Sequence, residues 1–195
     1  MIATTCQRQG CETELPRARR GRPARYCSAA CRTAAYRARP RVPRELTQRA
    51  RWVRRAADKR PVQTNGRNAS STQPRTWTTY DQAADSSEGV GLGFVLNGDG
   101  TVCLDLDGCL ADGRVTEWAR RILDRCPSTF VEVSPSGTGL HVWGYGSVPR
   151  GRVIREQDGT AVEVYGSGRY IAVTGRRWRG APTRLADLSA VIEYL

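Results

Sequence analysis

The chain has 195 residues, 39% of them hydrophobic, and 31 Lys+Arg against 19 Asp+Glu give a formal net charge of +12. That length suits one ordinary domain plus a small module. No apolar leader follows Met1, and the longest apolar stretch, Gly89 to Leu96, is far too short to cross a bilayer, so the sequence reads as cytoplasmic with no membrane partner.

The charge is segregated. Residues 1–79 hold 19 basic and 4 acidic side chains, and residues 80–195 hold the other 12 basic and 15 acidic ones. A surface shaped only for solubility has no reason to divide this way, so the front is expected to hold a polyanion and the back to do chemistry. Lys59 is the only lysine and His141 the only histidine, while the other 30 cations are Arg. An ammonium in such a chain suggests a specific need at position 59.

Residues 1–39 carry Cys6 and Cys11 with four residues between them, then Cys27 and Cys31 with three between them, and fifteen residues separate the pairs. Two thiol pairs across a loop suit a structural Zn²⁺ in a module too small to bury its own core. A pair of disulfides is the rival, and a reducing compartment disfavours it. From Arg20 onward a basic turn runs into an Ala/Arg-rich helix. The composition resembles zinc-ribbon modules of DNA-associated proteins. Residues 40–50 follow as a basic Arg/Pro linker, which places the main domain at 51–195.

Beyond the linker, Arg51–Arg55 reads as a short strand and Lys59-Arg60-Pro61 as a turn. Residues 63–74 read as a loop, and Thr78–Asp85 as a helix with Thr78 and Asp81 at capping-box spacing. Val90–Leu96 and Thr101–Leu106 flank Asn97-Gly98-Asp99-Gly100, which predicts a hairpin. Residues 115–126 show one apolar face at helical spacing. Strands are predicted at Phe130–Val133, Leu140–Gly144, Ala161–Tyr165 and Arg169–Thr174, with a closing helix over Leu185–Leu195. The pattern is α+β: one largely antiparallel sheet with helices on one face.

Three segments carry chemistry. In Thr101–Asp107 (TVCLDLD) the alternation sends Asp105 and Asp107 out of the same strand face, roughly 7 Å apart. A divalent cation between them would relieve their repulsion, and Mg²⁺ or Mn²⁺ favours such oxygens. A solvated strand face is the alternative. Ser134–Trp143 (SPSGTGLHVW) joins a Ser/Gly turn, suited to an anion, to a strand bearing His141. In Ala161–Tyr165 (AVEVY), Glu163 opposes Val162 and Val164; it needs a partner if buried, or faces water on an edge strand. Cys103, Cys109 and Cys126 have no partner spacing, although Cys103 alternates onto the aspartate face.

Taken in order, Asp105-Leu106-Asp107, Ser134 to His141, and Glu163 followed by Arg169 to Gly175 resemble the three motifs of the archaeo-eukaryotic primase superfamily. The nearest branch is the primase-polymerase domain of phage and plasmid replication proteins. Lys59-Arg60-Pro61, Trp77 and Gly91-Leu92-Gly93-Phe94 resemble that branch's N-terminal features, so the likeness covers roughly residues 50–178. It implies a core related to the RNA-recognition-motif fold and a two-metal nucleotidyl transferase that copies single-stranded DNA. Asp105, Asp107 and Glu163 would hold the metal ions. His141, Ser134, Ser136, Gly137 and Gly139 would hold a nucleoside triphosphate, with Lys59 and Arg169 as further phosphate contacts. Larger members carry a helicase, so a separate replicative helicase is an expected partner. A zinc-containing DNA-binding protein without activity and a metal-dependent nuclease are the alternatives. The Ser/Gly/His turn suits a triphosphate better than a water nucleophile.

Overall fold

The computed structural model describes residues 4–16, 23–38, 41–155 and 161–195, and the chain divides into two compact units, Met1–Pro40 and Arg41–Leu195. Arg20–Arg22 of the expected basic turn and Pro40 of the expected linker lie outside the described residues.

In the first unit, β1 (Thr4–Thr5) and β2 (Glu14–Leu15) pair antiparallel, and α1 (Ala29–Ala38) follows. Ser28 precedes α1, and its Oγ accepts from the Cys31 backbone N–H at 3.1 Å, satisfying one of the donors that a helix start leaves free. Cys6, Leu15 and Cys31 are the buried side chains, with Cys11 and Tyr26 packed against them.

The second unit runs α2 (Arg44–Thr47), β3 (Trp52–Arg55), β4 (Pro61–Val62), α3 (Tyr80–Asp85), β5 (Gly91–Asn97) and β6 (Thr101–Asp107). The small pair β7 (Leu110–Ala111) and β8 (Arg114–Val115) leads into α4 (Glu117–Leu123). Then come β9 (Val131–Val133), β10 (Leu140–Tyr145), β11 (Arg152–Arg155), β12 (Ala161–Tyr165), β13 (Ser167–Val173), β14 (Ala186–Asp187) and α5 (Ser189–Tyr194). The fold is α+β, and its sheets are antiparallel except where β14 pairs parallel with β10.

The structure departs from the sequence reading in several places. The strands form two sheets rather than one: β11-β12-β6-β10-β14 with β9 on β10, and β13-β5-β3-β4. Correspondingly, β5 and β6 are not a hairpin. The turn between them carries the chain from one sheet to the other, and its polar groups are held by neighbours on both sides. Asp99 pairs with the buried Arg51 at 3.0 Å and with Arg49, Gly98 N–H donates to Gly166 O at 2.9 Å, and Gly100 O accepts from Gly146 N–H at 3.0 Å. Local turn chemistry is the same in both cases; the strand edges available elsewhere decide the outcome. The capping box is also one residue later than expected. Thr79 Oγ1 accepts from Gln82 N–H at 3.3 Å, and Gln82 Oε1 accepts from Thr79 N–H at 3.5 Å. Within the stretch read as linker, α2 buries Leu46 completely, and Leu46 O accepts from Trp52 Nε1–H at 3.1 Å.

Strand alternation gives the larger sheet two unlike faces. Val102, Leu104 and Leu106 of β6, Leu140 and Val142 of β10, and Val162 and Val164 of β12 point one way, into a core completed by α4 and α5. Cys103, Trp143 and Tyr165 point the other way, into a second core with Trp52, Phe94 and Ile171 of the smaller sheet. There Phe94 meets Trp52 edge-on at 5.2 Å and Trp143 at 6.0 Å between ring centres. Such pairs add about 0.5–1.5 kcal/mol each beyond the area they bury. The face that meets the smaller sheet is also the face of the two aspartates.

Candidate active site

One step along the strands from the Tyr165–Cys103–Trp143 row, the side chains become polar. Register sets Glu163 opposite Asp105, Asp105 opposite His141, and His141 opposite Glu132, so four strands contribute one row. Asp107 follows two residues beyond Asp105 on the same face. A cleft of about 440 Å³ opens over this row. Its walls include Asp105, Asp107, His141, Ser134 and Ser136, together with Lys59 from the turn after β3. Tyr170 of β13 and Arg55 of β3 also line it, and neither was singled out from sequence.

The electrostatics around Asp105 are dominated by burial and neighbouring carboxylates. Asp105 Oδ1 is buried without a hydrogen-bond partner. Burial first, then the negative charges of Asp107 and Glu163, push the Asp105 carboxyl up to about 6, against the opposing pull of His141 and Lys59. An orphaned oxygen among like charges fits a hard divalent ion, so Asp105, Asp107 and Glu163 are suitable ligands for Mg²⁺ or Mn²⁺. These carboxylates are spread more widely than a closed metal cage: among the described residues only the four cysteines bring three or more ligand atoms within 4.8 Å of one another.

His141 is almost fully buried, with Nε2 3.6 Å from Asp105 Oδ1 and Nδ1 3.4 Å from Glu132 Oε1. Burial would lower its pKa, but the Glu132 hydrogen bond and the charges of Asp105, Glu132 and Asp107 outweigh it and raise the value above the ordinary one. The Ser134–Gly139 turn joins β9 to β10. Ser134 Oγ lies 3.0 Å from Ser136 Oγ and accepts from Gly139 N–H at 3.2 Å. Gly137 sits at φ +86°, a conformation that disfavours other residues, and a Cβ on Gly139 would meet Leu106 O at 2.9 Å. These two glycines shape the turn.

Glu163 and Arg169 stand apart from the cleft lining. Glu163 Oε2 accepts from Tyr165 OH at 2.8 Å, and Arg169 donates to that hydroxyl at 3.3 Å while stacking on the ring at 4.9 Å. Cys103 is fully buried, and burial raises its thiol well above the usual range. It is core, not a ligand. Glu132 is the residue that sequence reading missed. The signal was available: pairing Val131–Val133 with Leu140–Val142 across the Ser/Gly turn sets Glu132 against His141.

In the first unit the four thiols form a zinc-binding cluster of four cysteines. Cys27 Sγ lies 3.3 Å from Cys31 Sγ and 3.8 Å from Cys11 Sγ, all four sulfurs fall within 4.8 Å of one another, and none is in a disulfide. Hydrogen bonds with the Thr13 side chain and backbone, helped by Cys6 and Cys27, bring the Cys11 thiol down to about 6, which favours the thiolate that zinc requires.

Fold and site together identify the class. The family model described as "Bifunctional DNA primase/polymerase, N-terminal" matches residues 23–192, and the chain belongs to that Prim-Pol family. It is also similar to the DNA primase-polymerase of Nitratiruptor phage NrS-1, 40% identical over 139 residues, which cover 67% of this chain and 19% of the phage protein. The chain therefore corresponds to about a fifth of that relative's length. Among the described residues, no helix is long and apolar enough to cross a membrane.

Proposed function

We propose that the second unit performs template-dependent nucleotidyl transfer, extending or starting a strand on single-stranded DNA in the replication of a phage, plasmid or mobile element. The observation that carries this reading is the cleft that gathers Asp105, Asp107, His141, Lys59 and the Ser134–Ser136 turn, with Glu163 beside Asp105 in the same strand row. Asp105, Asp107 and Glu163 would hold the divalent ions; when bound, these supply Lewis-acid stabilisation of charge at the reacting phosphate and lower the pKa of a primer hydroxyl. The chain's own groups do the rest. His141, Ser134 and Ser136 hold the triphosphate, and the turn shaped by Gly137 and Gly139 lets backbone N–H groups approach it. The Lys59 ammonium balances the charge of departing pyrophosphate, and Arg169 is a further phosphate contact. The zinc module contributes arginines to the template backbone, a separate helicase opens duplex ahead of synthesis, and the protein works in the cytoplasm.

The test is an incorporation assay. Purified full-length chain, Mg²⁺ or Mn²⁺, a single-stranded template and labelled nucleotides should give product that depends on template sequence. Running ribonucleotides and deoxyribonucleotides with and without a primer separates priming from extension. Template degradation without incorporation would instead identify a nuclease.

A further inference from the structure

The row that holds Asp105 does not stop at Glu163. Register sets Val153 of the edge strand β11 opposite Glu163, and Arg155 opposite Ala161, which itself faces Asp107. Alternation fixes which way they look. Ile154 packs against the core under α4 and α5, and Arg152 donates to Ile192 O of α5 at 2.8 Å, so Val153 and Arg155 leave the opposite face, that of Asp105. The two ends of the row differ. Glu132 closes one end: it is fully buried, and its Oε2 accepts from the Thr174 and Gly175 backbone N–H groups at 2.9 and 2.6 Å. At the other end Val153 is 45% exposed, and Arg155 is exposed as well. Arginine on an edge strand discourages pairing with other chains. That accounts for the charge but not for a bare valine beside it.

Chemistry gives the two ends different tasks. In nucleotidyl transfer the 3′-oxygen of the growing strand bonds to the α-phosphorus as the bond to pyrophosphate breaks; the electron pair leaves on pyrophosphate and the hydroxyl proton passes to solvent. The attacking and departing oxygens stand roughly in line. His141, Ser134 and Ser136, the triphosphate contacts, lie on one side of Asp105, and pyrophosphate leaves toward them. The hydroxyl then comes from the other side, across Glu163, where the row opens onto β11. We propose that Val153 and Arg155 seat the 3′ end of the primer strand, the valine against sugar carbons and the guanidinium on a backbone phosphate. This assignment rests on the nucleotidyl-transfer reading of the cleft. Val153 lies two strand spacings from Asp105, about 10 Å. At about 3.4 Å per stacked nucleotide, the last three or so nucleotides of the primer cover that distance.

Crosslinking that tells the two DNA strands apart tests this directly. In full-length, zinc-loaded protein with Mg²⁺, Val153 is replaced by the photoreactive amino acid p-benzoylphenylalanine. The DNA is a primed template whose primer ends in a dideoxynucleotide, with the next nucleotide present. Irradiation should label the primer within its last few nucleotides. A crosslink confined to the template, or none from a protein that still binds the primed template, would overturn the assignment. Arg155→Glu supplies a second measurement. Its KM for primed template should rise on the order of 10-fold or more, and the salt slope of binding should flatten by roughly one unit. Its nucleotide KM at saturating primer should stay near wild type. An unchanged primer KM, or a loss that falls on the nucleotide KM instead, would also sink the primer seat. Wild-type protein that incorporates nothing with Mg²⁺ or Mn²⁺ would bring down nucleotidyl transfer itself, and the seat with it. Normal incorporation by wild type, with Arg155→Glu at full primer affinity, would bring down the seat alone.

Discussion

In the zinc module the ligands are the core. Among its described residues, two of the three buried side chains are Cys6 and Cys31, and the one full-sized apolar residue among them is Leu15. In the second unit the order is reversed. Two apolar clusters, one under α4 and α5 and one between the sheets, carry the fold. Asp105 and Asp107 sit on the polar side of that sheet face, beside the aromatic row, and belong to neither cluster. A metal in the first unit holds the chain together; a metal in the second would be an addition to a structure already complete. Removing ligands should therefore have opposite consequences in the two places.

The largest expected effect is on chemistry. Asp105→Ala or Asp107→Ala should reduce incorporation on the order of 10³-fold or more, if charge at the reacting phosphate is stabilised through these oxygens. DNA affinity, measured by fluorescence anisotropy, should stay within a small factor of wild type. Near-normal incorporation by either variant would remove the metal assignment and the comparison with it.

In the zinc module the same kind of change should be structural. Binding of structural Zn²⁺ contributes about 10–16 kcal/mol in small zinc modules, far beyond what one leucine and a tyrosine supply. Cys27→Ser should release zinc, read by a chromophoric chelator, and unfold the module while the second unit keeps its cooperative melt. Unprimed initiation should then fall much further than extension of a paired primer, because no duplex end helps to hold the template. If arginines of the module contact phosphates, the slope of log K against log salt should flatten by roughly one unit per lost contact. Equal loss of both activities would make the module part of the catalytic fold.

How much of this was legible from sequence follows the same division. Zinc ligands announce themselves by residue type and spacing, and strand alternation, which converts position into face, puts Asp105, Asp107 and Glu163 on the sheet face where the structure has them. The family resemblance is borne out by the Prim-Pol match over residues 23–192. What stayed hidden depends on pairing between distant segments. Asn97-Gly98-Asp99-Gly100 has hairpin chemistry, but β5 finds β3 and β13 while β6 finds β10 and β12. Glu132 in Val-Glu-Val looks like an ordinary water-facing position. Only the register with β10, and the approach of Thr174 and Gly175 from the other sheet, reveal that it is buried.

A smaller and sharper test uses charge alone. Asp105 Oδ1 is buried without a hydrogen bond, and burial with the charges of Asp107 and Glu163 outweighs the help of His141 3.6 Å away, so its ionised form should destabilise the protein. Asp105→Asn keeps the shape and removes the charge. It should raise stability by about 1–3 kcal/mol in Mg²⁺-free, zinc-loaded protein at pH 8, a shift of a few degrees in the melt of the second unit. Wild type should gain stability when Mg²⁺ is added, and the variant should gain less. A variant less stable than wild type would mean that Asp105 is held for the fold, as the cysteines are.

The smallest effect concerns Lys59. Its φ of +67° is a left-handed conformation that costs a side-chain-bearing residue about 1 kcal/mol. The turn is held there: Lys59 N–H donates to Ala56 O at 3.1 Å, and Lys59 O accepts from the Tyr170 hydroxyl. Glycine adopts this conformation freely, so a turn selected only for shape would place glycine at this position. Lys59→Gly should therefore leave stability unchanged or raise it by up to about 1 kcal/mol, in a chain that has no second lysine to substitute for it. Incorporation should nevertheless fall, with nucleotide KM rising, because the ammonium at the cleft wall is gone. Lys59→Arg keeps the charge but spreads it over a planar fork, and should recover only part of the loss. Chemical denaturation and steady-state kinetics on the three proteins separate the two contributions. If Lys59→Gly loses stability and keeps its kinetics, the lysine belongs to the turn and the strain has no functional counterpart.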